Sequence, residues 1–181
     1  MNRVDIRVGA IAVGYAKTWA YPNGSPTDYY RIPTYGVKVS ARSSGKLVSR
    51  DFEAFRFGVQ RKGTIGPRVV GLADRQTHII KTWIPTYSVH SARSTERSAW
   101  QVYDNFLIHD GPDDPHIQAY ASIGCVEICN GPRGFDEFND YIIALVEPSA
   151  TGHDNQLAEI GRSGKLLVTY DAAKRPPLVR W

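Results

Sequence analysis

Hydrophobic and polar residues alternate, with interruptions, along much of the first 110 positions. The segments "VDIRVGAIAV" (4–13), "TYGVKVSAR" (34–42), "FEAFRFGVQ" (52–60), "THIIKTWIPTYSVH" (77–90) and "SAWQVYDNFLIH" (98–109) are short and rich in Val, Ile, Phe, Tyr and Trp. In part they follow the two-residue period of half-buried strands. Turn-formers separate them: "YPNGSPTD", "RSSGK", "RKGTIGPR" and "HDGPDDP". The stretch "YPNGSPTDYYRIP" (21–33) reads as a surface loop, whose Tyr29 and Tyr30 either cover a core or line a groove.

The period changes once, at "RGFDEFNDYIIALVEP" (133–148). Phe135, Phe138, Ile142, Leu145 and Val146 fall on one face at helical spacing, which predicts a helix packed against a sheet. Asp136 and Glu137 sit in its first turn, where carboxylates favour the positive end of the helix dipole, and Pro148 stops it. A last strand, "GKLLVTYD" (164–171), leads into a basic tail, "AAKRPPLVRW" (172–181). No repeat or heptad appears. The expected architecture is mainly β with one main helix (α+β), in a single domain over 1–181. Its parts are N-terminal strands in 1–105, a motif region in 106–130, and the helix and C-terminal strand in 131–181.

Composition narrows the function classes. A chain of 181 residues with 42% hydrophobic content can bury one core, and 22% charged residues is the balance of a globular protein, not a disordered one. The net charge of +4 comes from scattered clusters. That suits an anionic surface such as a cell wall, but it is too weak and dispersed for a dedicated nucleic-acid binder. The opening "MNRVDIRVGAIAVGYAKTW" is interrupted by Asp5 and Arg7 and reads as a strand, not a signal peptide. No apolar run approaches the ~20 residues of a membrane span, so no membrane insertion is expected.

The two cysteines, Cys125 and Cys129, lie in "ASIGCVEIC" (121–129). On an extended strand this spacing exceeds the reach of a disulfide, and it is not the C-x-x-C of redox proteins. The histidines at 78, 90, 109, 116 and 153 form no zinc-type set with them, so neither metal nor cofactor is expected. Cys129 reads as a small buried hydrophobe on the same strand face as Cys125.

A different partnership emerges upstream. In "FLIHDGPDDPHIQAYASIGCVEI" (106–128) an apolar strand delivers His109 at its end, and after a loop the chain returns with Ser122, Gly124 and Cys125. A free thiol with a pKa near ~8.5 is a poor nucleophile at neutral pH unless a base takes its proton. His109 is the candidate base, Ser122 a group that orients it, and Gly124 a position where backbone N–H groups can meet an oxyanion. His116 lies in the same loop and is a lesser candidate for facing the cleft; His78 and His90 flank a strand that can approach it. Trp83, Tyr87, Trp100 and Tyr103 read as core aromatics, or less readily as a sugar or peptide groove.

The pattern His109–x–Gly111 followed by Ser122–x–Gly124–Cys125–Val126 resembles the motif of the L,D-transpeptidase (YkuD-type) family, over residues 106–128. The resemblance implies a β-sandwich with the catalytic Cys just before the helix. It further implies nucleophile Cys125, base His109, and an oxyanion hole of backbone N–H groups near Gly124 and Cys125. The implied substrate is a peptidoglycan stem tetrapeptide, attacked between its L- and D-centres to give an acyl-enzyme thioester. An amine (transpeptidation) or water (carboxypeptidation) then resolves it. Two positions depart from the family pattern. Glu127 stands where an Arg is usual, and Asp110 separates His109 from Gly111; with Asp110, Gly111, Glu127 and His116 as substrate-side candidates, an altered acceptor is expected. An Asp110 carboxylate touching the imidazolium would raise the His109 pKa. A catalytic domain without an export signal would fit a secreted antibacterial effector of the type VI kind, acting in a target's periplasm and needing a cognate immunity protein. The alternatives are a non-catalytic wall- or protein-binding module, or a Cys–His amidase for another peptide.

Overall fold

The computed structural model describes residues 1–22, 28–88 and 98–181. Its frame is a sheet in which two long antiparallel strands, β1 (Val4–Trp19) and β2 (Tyr29–Ser43), form the central ribbon. β1 pairs in parallel with β11 (Leu166–Tyr170), which pairs with β6 (Gln76–Ile80). On the other side β2 pairs with β3 (Lys46–Phe55), then follow β10 (Val126–Ile128), β9 (Phe106–Asp110), β8 (Ala99–Tyr103) and β7 (Thr82–Ile84). The two ends of this path, β6 and β7, are separated in the chain only by Lys81, so the sheet curls back on itself. His78 of β6 stacks on Tyr103 of β8 at 4.6 Å across the closure. A short hairpin, β4 (Gly58–Arg61) with β5 (Pro67–Val70), lies outside the main sheet, and β12 (Val179–Arg180) adds to β2.

The alternation seen in the sequence is the alternation of faces. Val4, Ile6 and Val8 point inward from β1 while Asp5 and Arg7 point out. Register shifts at Val8/Ala12 and Ala12/Gly14 then break the pattern before Ala16 and Thr18 bury again. Helix α1 (Gly134–Val146) buries Phe135, Phe138, Ile142, Leu145 and Val146, the face its spacing predicts, against Val37, Val39, Phe52, Val126 and Ile128. Each such side chain contributes roughly 1.5–3 kcal/mol by leaving water. Trp100 at the centre donates its indole N–H to Asn139 of α1 at 2.9 Å, so the buried amide and the indole satisfy one another.

Several sequence expectations are corrected. A second helix, α2 (His153–Ser163), buries only Leu157, Ile160 and Gly161, too few apolar positions to register as a periodic stripe. The supposed loop at 21–33 ends early: Tyr29 to Pro33 belong to β2, because Tyr30 and Ile32 pack in a second core with Tyr35, Phe55 and Phe57. "THIIKTWIPTYSVH" divides into β6 and β7, and "FEAFRFGVQ" into β3 and β4. His90 lies outside the described residues. Among the described residues the architecture is therefore mainly β with two α-helices.

One charged side chain holds the junction of these parts. Arg56, between β3 and β4, is fully buried and donates to the carbonyls of Leu72 (3.0 Å), Gly9 (2.7 Å) and Asp171. The rings of Phe57, Tyr170 and Tyr35 lie 5.5, 5.6 and 6.0 Å from its guanidinium. Burial pulls its pKa below the ordinary value, and Tyr35, Tyr170 and Asp171 counter that pull.

Candidate functional site

β9 and β10 run side by side in parallel, with Val126 opposite Ile108 and Glu127 opposite His109. Register partners on adjacent strands share a face. Phe55, Glu127, His109, Ala99 and Ile84 therefore form one row across five strands. Cys125, two positions before Glu127, falls on this same face and packs with Ala99, Leu107, Ile84 and Tyr87. The sheet itself thus brings together Cys125, His109 and Glu127, from two segments that the sequence separates by the 111–125 loop.

His109 is fully buried. Its Nδ1–H donates to the Asp110 carbonyl at 2.7 Å, which leaves Nε2 to face Glu127, whose Oε1 is 3.9 Å away. The expected orienting role of Ser122 is therefore corrected: Asp110 supplies the carbonyl, because it is the next residue on the same strand end. The Ser122 carbonyl is taken by the Val59 N–H at 3.0 Å. The Ser122 hydroxyl accepts the Gly124 N–H at 3.3 Å and lies where it favours the charged form of Glu127.

Glu127 is buried on all sides, so the expectation that it meets substrate directly is also corrected. Burial pushes its carboxyl well above the ordinary range; Asp110 adds to the rise and Ser122 opposes it. Asp110 itself is buried at the end of β9, not a solvated loop carboxylate. Gly111 serves packing rather than substrate. Its N–H donates to the Ile128 carbonyl at 2.9 Å, and a Cβ there would stand 2.9 Å from Cys129 Sγ.

The thiol is not the activated thiolate expected from a touching imidazole. Cys125 is 3% exposed, and burial first, then Glu127, push its pKa up to about 12, against a smaller opposing pull from the Leu107 N–H. Its Sγ lies 3.9 Å from the Asn105 carbonyl. Cys129 is also buried, bonds the Glu127 carbonyl at 3.1 Å, and is a packing residue as read from the sequence. Both cysteines are free.

The β4–β5 hairpin packs closely against the segment that precedes the cysteine, residues 122–124. A Cβ on Gly58 would lie 1.9 Å from the Ser122 carbonyl oxygen, and one on Gly124 (φ +96°) would lie 2.7 Å from the Gly71 backbone. Gly124 therefore does allow a close approach, but the approaching group is this hairpin. Its N–H is engaged by Ser122 and is not presented as an open oxyanion donor. Tyr87, read from the sequence only as a core or groove aromatic, packs beside Cys125 and His109. Its ring is 5.8 Å from that of His109, and burial, Cys125, Glu127 and Tyr21 push its phenol to about 12. No motif could have flagged it, since it reaches the site from the turn after β7.

His116 does not join the cluster. It is exposed, donates through Nδ1 to the Tyr15 carbonyl at 2.9 Å, and lies 3.1 Å from Glu53 through Nε2. The Tyr15 carbonyl and then Glu53 raise its pKa. The protonated ring thus fastens the 111–125 loop to β1 and β3, a contribution complete below the ordinary histidine pKa and lost as pH rises through the folded value. His116→Gln is expected to flatten a small fall in melting temperature across that range, measured by thermal scans from pH 5 to 9. His78 bonds Gln76 at 2.8 Å on β6 and takes no part in the row.

Among the described residues no group of His, Cys, Asp and Glu is arranged to hold a metal ion, and no helix is long and apolar enough to cross a membrane. Comparison with protein-family models, curated proteins and solved structures returns no match.

Proposed function

We propose that this protein is a cysteine-dependent acyltransferase or hydrolase of the L,D-transpeptidase kind, acting on peptidoglycan stem peptides. The observation that carries the reading is the placement of Cys125, His109 and Glu127 on one face of paired parallel strands. The imidazole is tethered through Nδ1, and Nε2 faces Glu127. Cys125 Sγ attacks the carbonyl between the L- and D-centres, and its proton passes to His109 Nε2. Collapse of the tetrahedral adduct breaks the C–N bond, and the departing D-amino acid takes the proton from Nε2. Water or an acceptor amine adds to the thioester while giving its proton to Nε2; the C–S bond breaks and the thiolate recovers that proton. Because the resting thiol is neutral and buried, turnover requires the site to open around Cys125.

The test is incubation of the purified chain with a disaccharide-tetrapeptide, followed by mass spectrometry for loss or exchange of the terminal D-Ala. Cys125→Ala is expected to lower the rate by roughly 10³-fold or more, and Cys129→Ala to leave it within about twofold. Activity surviving in Cys125→Ala would reject the nucleophile. The neutral, covered thiol favours a second reading, a non-catalytic wall-binding module; folded wild-type protein that binds peptidoglycan without changing its mass would establish that reading instead.

A further inference from the structure

The residue that departs most sharply from the resembled motif is also the one that faces the base. Glu127 and His109 are register partners, both fully buried, with 3.9 Å between Oε1 and Nε2. A buried imidazolium is costly unless an anion lies beside it. Resting on the acyl-transfer reading above, we infer that Glu127 is a positioning residue whose carboxylate holds the imidazolium that His109 becomes each time a proton reaches Nε2.

An ionised Glu127 acts on both products of the first proton transfer: it attracts the imidazolium and repels the Cys125 thiolate. The attraction acts directly on the proton acceptor, with 3.9 Å between Oε1 and Nε2. The transfer from Sγ to Nε2 is favoured where that attraction exceeds the repulsion Glu127 exerts on the Cys125 thiolate. An Arg at position 127 would act in the opposite sense, placing a cation against the ring that must become one.

The titratable neighbours among the described residues bear on when this carboxylate forms. Asp110, at the end of β9, opposes its charge, and the Ser122 hydroxyl from the preceding loop favours it. Cys125 and Cys129 flank it on its own segment, and Tyr87 faces it from the turn after β7. From β3 the opposing register partner is apolar Phe55. The carboxyl is thus neutral at low pH, and the working form appears as pH rises. The same ionisation works against folding: a carboxyl whose folded pKa is raised contributes stability at low pH that is lost as pH rises through the folded value.

The test compares the whole chain with Glu127→Gln, following the His109 ring resonances by NMR against pH and, in parallel, the pH–rate profile on tetrapeptide. Removing the carboxylate is expected to lower the His109 midpoint by about one unit or more, a tenfold change. It should also erase the rising limb of kcat while KM is little changed. A neutral, isosteric side chain that only filled space would move neither. A folded Glu127→Gln with unaltered His109 midpoint and pH profile overturns the inference and leaves the acyl-transfer reading standing. A shifted midpoint in a chain that turns over no stem peptide supports the pairing and rejects that reading. If Glu127→Gln does not fold, Ser122→Ala serves: losing the hydroxyl that favours the carboxylate should move the limb to higher pH, and an unmoved limb overturns the inference.

Discussion

Arg56→Met is expected to lower the free energy of unfolding by about 3–5 kcal/mol, read from urea unfolding with an unchanged m-value. The guanidinium satisfies the Leu72, Gly9 and Asp171 carbonyls at once, joining the bulged part of β1, the turn after β5 and the segment after β11. Methionine fills much of the volume but donates nothing, so three partly buried carbonyls lose this donor, each at a cost of up to about 1–3 kcal/mol before relaxation. Against a total of about 5–15 kcal/mol for a domain, the variant is expected to be partly unfolded at 37 °C. Arg56→Lys should fall between, since one ammonium does not reproduce a planar fork reaching three acceptors. A loss below about 1 kcal/mol in Arg56→Met would show that water satisfies these carbonyls equally well.

Gly58→Ala is expected to have the second large effect, this time at the site. One methyl at Gly58 meets the Ser122 carbonyl oxygen at 1.9 Å, which no side-chain rotation relieves because both partners are backbone. The hairpin must move away, breaking the 3.0 Å bond from the Val59 N–H to Ser122 and loosening the segment that leads into Cys125. A stability loss of about 1–3 kcal/mol is expected from overpacking. The more telling readout is thiol chemistry. Cys125, buried in the native chain, should react with a small alkylating reagent at least about tenfold faster, because exposure relieves the desolvation that keeps the thiol protonated. Cys129, covered from another side by Gly111, should remain protected. Unchanged Cys125 reactivity in a folded Gly58→Ala chain would show that the hairpin is not the gate.

Much of the fold was legible in the chain because burial imposes local periodicity. The apolar face of α1 and the strands β1, β2 and β11 follow from two- and 3.6-residue spacings, whereas "SAWQVYDNFLIH", read as one strand, turns at Asp104–Asn105 into the β8–β9 hairpin. What escaped was structure whose cause is not local. α2 carries only three buried residues, one of them Gly161, whose packing against the backbone at Lys81 has no apolar signature. Tyr29 and Tyr30 follow a turn-rich stretch yet extend β2, because pairing with Trp19 and Thr18 decides the matter.

The candidate site divides in the same way. Sequence alone determined that a histidine lies at the end of one strand, that a glycine–cysteine pair precedes another, and that Cys129 is a buried packing residue, since these follow from alternation and neighbouring residue types. Only the tertiary structure decided that the strands lie parallel in the register that puts Glu127 opposite His109. It also decided that Asp110, not Ser122, holds the imidazole, that His116 belongs to a different contact, and that a glycine-lined hairpin packs on the segment before the thiol. The reason is physical. Side-chain alternation is set by bonds along the chain, whereas strand register, desolvation and the charge of a buried group are set by whatever packs against it from elsewhere.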